Sequence, residues 1–187
     1  MRRRYIVTIL TALGVVGYLA LDDKQTAPDN ASVIDAINQE PDYIIKGVKA
    51  EHYDKNGVLG RKIEAESAEH LPISDTTKLI QPSVILRDKQ NPIWSVKSQN
   101  GLLLGTQTLE LNGDVQVLPM KGSQTELSLK TEHISIDLDK QIADTSENVL
   151  IESPDTKIHS KGMNMNMITQ QVQFTSQVRG QHDPKTK

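Results

Sequence analysis

One pattern occurs four times between residues 63 and 167. IEAESAEHL begins at Ile63, VKSQNGLLL at Val96, LKTEHISIDL at Leu129 and IHSKGMNMNM at Ile158. Each copy opens on an aliphatic residue, places a small one two positions on (Ala65, Ser98, Thr131, Ser160) and then resumes in alternation. A further alternating stretch follows each: TKLIQPSVIL, QTLELNGDVQV, KQIADTSENVLI and QQVQFTSQVRG. Start-to-start spacings of 33, 33 and 29 residues are too regular for unrelated strands and too short for a propeller blade. Alternation of period two is the signature of strands buried on one face, and long helical periodicity is absent. The repeating unit is therefore two strands with their turns, and four copies predict an all-β fold of stacked antiparallel hairpins. DKNG at Asp54 to Gly57 and NG at Asn112-Gly113 mark tight turns.

Successive strand residues point to opposite faces, so the pattern also names an inward set. It comprises Trp94, Val96, Leu109, Leu111, Val115, Val117, Leu127, Leu129, Ile134, Ile136, Leu138, Ile158, Met163, Met165, Met167, Val172 and Phe174. Aromatics are only 3% of the chain, so this interior is lined by Leu, Ile, Val and Met. Such a lining suits a closed sandwich, and equally suits two splayed sheets holding acyl chains; the alternation alone favours the closed core. Three alternating methionines make a polarizable, adaptable wall, although each one singly reads as core filler. The first strand, 43–53, and the last, 172–178, are candidate sheet edges, which offer backbone groups for strand addition. Tyr43, Ile45, Gly47 and Lys49 belong to the first edge, and Val172, Phe174, Ser176 and Val178 to the last.

The N-terminus has a different texture. Residues 5–21, YIVTILTALGVVGYLAL, are uncharged and mainly apolar, preceded by Arg2, Arg3 and Arg4 and followed by Asp22 and Asp23. A helix of that length covers about 25 Å at 1.5 Å per residue, near the lower limit for a bilayer core. The arginines stay on the cytoplasmic side by the positive-inside bias, and no A-x-A cleavage tripeptide follows, which favours a retained anchor over a signal peptide. The expected organisation is a cytoplasmic end at 1–4, a transmembrane helix at 5–21, a polar linker at 22–42, a β domain at 43–180 and a flexible tail at 181–187.

Lys and Arg number 21 against 24 Asp and Glu, a net charge of −3, which speaks against a nucleic-acid binder. No cysteine is present, excluding disulfides, thiolate metal sites, cysteine nucleophiles and a lipidated cysteine after the apolar stretch. The five histidines have no metal-binding spacing, and neither G-x-S-x-G nor a phosphate-binding G-x-x-x-x-G-K-[ST] occurs. No catalytic residue, metal or cofactor is expected. Asp137 and Asp139 share one strand face and read as solvated.

The stretch from Asp54 to Val117 resembles the LptC family of lipopolysaccharide transport. The residues that carry the resemblance are NG at Asn56-Gly57, IEAESA from Ile63, QPSVILRD from Gln81, NPIWSVKS from Asn91 and LELNGDVQV from Leu109. The order of parts agrees as well: arginine-rich end, one helix, linker, β domain. Near the end of the first repeat the family often has a pair of aromatics where this chain has His70 and Leu71. The resemblance implies an open antiparallel β-jellyroll with two sheets in a V, whose groove binds lipopolysaccharide. It implies a single-pass inner-membrane protein of a Gram-negative bacterium with its β domain in the periplasm. Its partners would be the LptB/LptF/LptG ABC transporter at the N-terminal edge and periplasmic LptA at the C-terminal edge. Two other readings share the residue pattern. One is a membrane-anchored adaptor of a division or secretion complex that binds protein only; the other is a soluble periplasmic carrier, which would require cleavage after the apolar stretch.

Overall fold

Alternation without helical periodicity produces eleven strands. The computed structural model describes residues 40–88, 91–120 and 127–183, so the predicted membrane helix at 5–21 lies outside the described residues, as does nearly all of the linker. The strands are β1 (Tyr43–Tyr53), β2 (Leu59–Leu71), β3 (Thr76–Ile80), β4 (Ser83–Asp88), β5 (Asn91–Lys97), β6 (Asn100–Leu104), β7 (Thr108–Pro119), β8 (Ser128–Asp137), β9 (Ile142–Ser153), β10 (Thr156–Asn166) and β11 (Gln171–His182). All the pairings among them are antiparallel.

The pairing scheme describes bent strands. The first half of β2 pairs with β4 and its second half with β3; the first half of β7 pairs with β6 and its second half with β5. β3 and β4 are thus one strand broken at residues 81–82, and β5 and β6 one strand broken at 98–99. Counted this way, consecutive strands pair in sequence order from β1 to β11, and every one passes from one layer to the other across a common crease. The first layer holds β4, β5 and the second half of β7; the second holds β3, β6 and its first half. Hairpin turns alternate between the free rims of the two layers.

The crease is where the repeat's small residue sits. Ala65, Thr131 and Ser160 are buried there, on the inside of the bend, where a larger side chain would keep the layers apart. The hydroxyls bond carbonyls two residues on: Ser98 Oγ donates to Asn100 O (2.8 Å), Thr131 Oγ1 to His133 O (3.3 Å) and, at the buried site, Ser160 Oγ to Gly162 O (3.4 Å). The register slips by one residue at the same line, between Asn112 and Val115 in the β7/β8 ladder, Thr131 and Ser135 in β8/β9, Lys161 and Met163 in β9/β10, and His159 and Lys161 in β10/β11. Such bulges increase twist and turn the strand.

The last strand extends two residues into the stretch expected as a flexible tail. Gln181 and His182 pair with Lys157 and Thr156, and Thr156 Oγ1 lies 2.9 Å from His182 Nδ1. Polar residues opposite one another provide that pairing without an apolar signal. Asp54 caps its own turn, its carboxylate accepting from the Asn56 and Val58 amides at 2.8 Å, so DKNG is a turn as its composition implied.

Two glycines on the crease separate backbone strain from crowding. Gly162 has φ +79°, and an added Cβ would lie 2.9 Å from Thr175; Gly47 has φ +65° and open space around it. Gly47→Ala should destabilise the domain by about 1 kcal/mol, the cost of a left-handed conformation for an L side chain. Gly162→Ala should cost about 2–4 kcal/mol, because overpacking adds to the same backbone cost. Urea-denaturation midpoints of the two variants measure the difference.

Candidate functional site

Folding the sheet along its crease places one continuous apolar face inside. All the residues expected to point inward do so: Leu127, Ile158, Val172 and Phe174 are partly buried against the core, and the rest of that set is buried. The expected set leaves out several residues of the same interior, namely Ile63, Leu79, Val84, Leu86, Ala143, Val149 and Ile151. Their signal was available in the same alternation, in RKIEA, SVIL and NVLI. The larger omission is Arg61, which occupies an inward position two residues before Ile63 and is only 7% exposed.

Arg61 ties the two rims together. From β2 in the first layer its Nη2 donates to Thr106 O in the β6–β7 turn at 2.8 Å, and its Nη1 to Asp139 Oδ1 in the β8–β9 turn at 3.1 Å, with Leu138 O at 3.5 Å. Asp139 is accordingly an ion-pair partner, where the spacing alone read it as solvated. Two more bonds cross the mouth. Gln141 Nε2 donates to Arg87 O at 2.8 Å, and Trp94 Nε1 to Met167 O at 2.7 Å. Arg61 pairs with Leu86 and Leu86 with Trp94, so these bonds spring from one row across the first layer. They reach three successive turns of the second layer. The open groove that the resemblance implies is closed in this structure, because these bonds hold the rims together and Val84, Leu86, Val96, Leu109 and Leu111 have no solvent exposure.

Each end of the sheet is a strand with one neighbour among the described residues: β1 pairs only with β2, and β11 only with β10. Tyr43, Ile45, Gly47 and Lys49 lie on β1, which is exposed along nearly its whole length, including Ile44 at 57%. Val172, Phe174, Ser176 and Val178 lie on β11; Val178 is 53% exposed, while Val172 and Phe174 face the core. Ser176 turns its hydroxyl back to Lys161 O at 3.0 Å. Exposed apolar side chains on unpaired strand edges are what natural sheets usually avoid, and they favour strand addition.

The start of β1 is fastened by His70. Its ring stacks on Tyr43 at 4.8 Å between centroids, Nδ1 lies 2.8 Å from Asp42 Oδ1, and Nε2 lies 3.4 Å from Asp75 Oδ1. The Asp42 carboxylate raises the His70 pKa above its usual value, and Asp75 adds to the effect.

A sequence model of the family described as "Lipopolysaccharide-assembly, LptC-related" matches residues 6–183. The chain belongs to that family. The LptC family acts in lipopolysaccharide transport without catalysis, and membership implies an inner-membrane-anchored periplasmic protein. Among the described residues no helix is long and apolar enough to cross a membrane. No curated protein matches the chain. Among solved structures it is similar to the crystal structure of LptH from Pseudomonas aeruginosa, the LptA-homologous periplasmic component of the lipopolysaccharide transport device. The TM-score is 0.52 at 10% identity, over 66% of this chain and 95% of that one. At that identity the likeness is one of fold.

Trp94→Phe should lower stability by about 2–4 kcal/mol, since it leaves the Met167 carbonyl buried without its donor and puts a smaller ring in a fully buried site; thermal and urea unfolding measure it. For His70, a raised folded pKa means a stabilising contribution that is complete below the unfolded value of about 6.5 and is lost as pH rises through the higher folded value. A ring-proton NMR titration should place the His70 midpoint above 6.5, and Asp42→Asn should lower it.

Proposed function

We propose that this chain is the membrane-anchored relay of lipopolysaccharide transport, accepting the lipid from the inner-membrane LptB/LptF/LptG transporter and passing it to periplasmic LptA. The single observation that carries the proposal is the continuous apolar face running through every strand from β2 to β11, with a terminal strand at each end whose outer edge has no neighbour among the described residues. Each acyl methylene kept from water is worth about 0.8 kcal/mol, so a lipid with several chains needs a sheltered path worth tens of kcal/mol. The groove is the interior between the two layers, lined by the inward set from Trp94 to Phe174. The β1 edge, with Tyr43, Ile45, Gly47 and Lys49, receives the transporter, chiefly LptF and LptG. The β11 edge, with Val172, Phe174, Ser176 and Val178, receives LptA by strand addition. Residues 5–21 anchor the domain, and residues 22–42 link the two. The chain has no phosphate-binding loop, so the energy of extraction comes from the transporter.

A second reading draws on one specific observation, the sealed interior. A closed core with free edges also suits an anchored adaptor that binds protein and no lipid.

Photocrosslinkers placed at Leu129, Ile136 and Met165 in cells should capture lipopolysaccharide, while outward-facing Lys130 and Asn164 should not. Crosslinkers at Ile45 should reach the transporter and those at Val178 should reach LptA. Protein adducts at both edges with no lipid adduct from the interior would favour the adaptor.

A further inference from the structure

Arg61 is a buried guanidinium at the mouth of an otherwise aliphatic interior, and the clefts beside it differ in character. One is a mainly apolar cleft of about 170 Å³, lined by Ile63, Leu103 and Leu138 together with Glu51 and His52. The other is a polar cleft of about 290 Å³, which includes Arg87, Gln141, Asp139 and His52. Both clefts touch Arg61. An apolar surface and a polar one that share Arg61, with Arg87 also lining the polar cleft, match an amphiphile with a negative headgroup. Three carboxylates line the polar cleft: Asp139 is paired with Arg61, Asp54 accepts from the Asn56 and Val58 amides, and Asp88 is exposed at the end of β4.

The present partners of Arg61 can be exchanged. All of them, the Thr106 and Leu138 carbonyls and the half-exposed Asp139 carboxylate, belong to rim turns of the opposite layer. Separating the layers to admit an acyl chain withdraws every one of them together. A buried cation stripped of its acceptors is strongly unfavourable, and a phosphate offers the guanidinium a paired, charge-assisted replacement.

Resting on the carrier reading, we infer that Arg61 is a headgroup site: the anionic headgroup of the transported amphiphile displaces Asp139 and the Thr106 carbonyl, and this exchange unlatches the layers beside β1. The lipid thereby releases the lock on its own path. Asp139 acts as the internal competitor that keeps the empty interior shut.

The test uses the full chain in detergent micelles, with lipopolysaccharide and its dephosphorylated counterpart as probes. The wild type should bind the phosphorylated form about tenfold or more tightly than the dephosphorylated one, the scale of a charged hydrogen bond. In Arg61→Gln that ratio should fall to within about twofold. Asp139→Asn, which alters only the half-exposed partner, should bind the phosphorylated lipid severalfold more tightly than the wild type. Millimolar inorganic phosphate alone should leave the wild-type ratio unchanged, because it brings no chain to fill the interior; if it abolishes the preference, the site serves free phosphate and the headgroup assignment falls. Persistence of the tenfold ratio in Arg61→Gln, or weaker binding by Asp139→Asn, overturns the exchange while leaving the carrier intact. Failure of the wild type to bind either lipid saturably overturns both.

Discussion

Every strand of this domain has to turn a corner without losing its backbone hydrogen bonds, and the rest of the structure depends on how that is done. A flat sheet of this length would leave its apolar face in water, since no helix among the described residues covers it. The chain covers the face with itself, bending along one line so that the sheet's two halves become opposing layers. Small residues at the inside of the bend allow the close approach, their hydroxyls bond nearby carbonyls, and one-residue bulges absorb the change in direction. The repeat unit is in this sense a bend with a strand on either side.

Sealing the resulting interior requires something at the rims as well as at the crease. Apolar burial is non-directional, so it favours closure without specifying how the two rims meet. Arg61, Gln141 and Trp94 supply direction, because each reaches a particular carbonyl across the mouth. Two of the three connections are neutral hydrogen bonds of modest net value, and the third centres on an ion pair whose acid is half exposed. The closure is specific without being deep.

Unpaired edges follow from the same meander. Because consecutive strands pair in order and the layers do not close into a barrel, β1 and β11 each keep a side with no neighbour among the described residues. On β1 that side has no proline and is flanked by exposed apolar residues. His70 pins the beginning of this strand to the β2–β3 hairpin through Asp42 and Asp75, so the edge is held straight where the preceding chain joins the domain.

Much of this was legible in the residue order. Alternation in HISIDL and MNMNM assigned faces that the structure keeps, and the small residues of the repeat, Ala65, Ser98, Thr131 and Ser160, fall at the corners. The tail residues Gln181 and His182 were not readable as strand, since their partners Lys157 and Thr156 are polar and leave no hydrophobic trace. Arg61 was missed for a related reason. One charge in an alternating run looks like an irregularity, and its partners lie some 45 to 78 positions away in the chain. The sequence by itself determined strands, faces and repeat, because those depend on the local geometry of successive side chains. Only the tertiary structure decided that the face closes on itself and which residues fasten it, because contact across a fold depends on where distant turns meet in space.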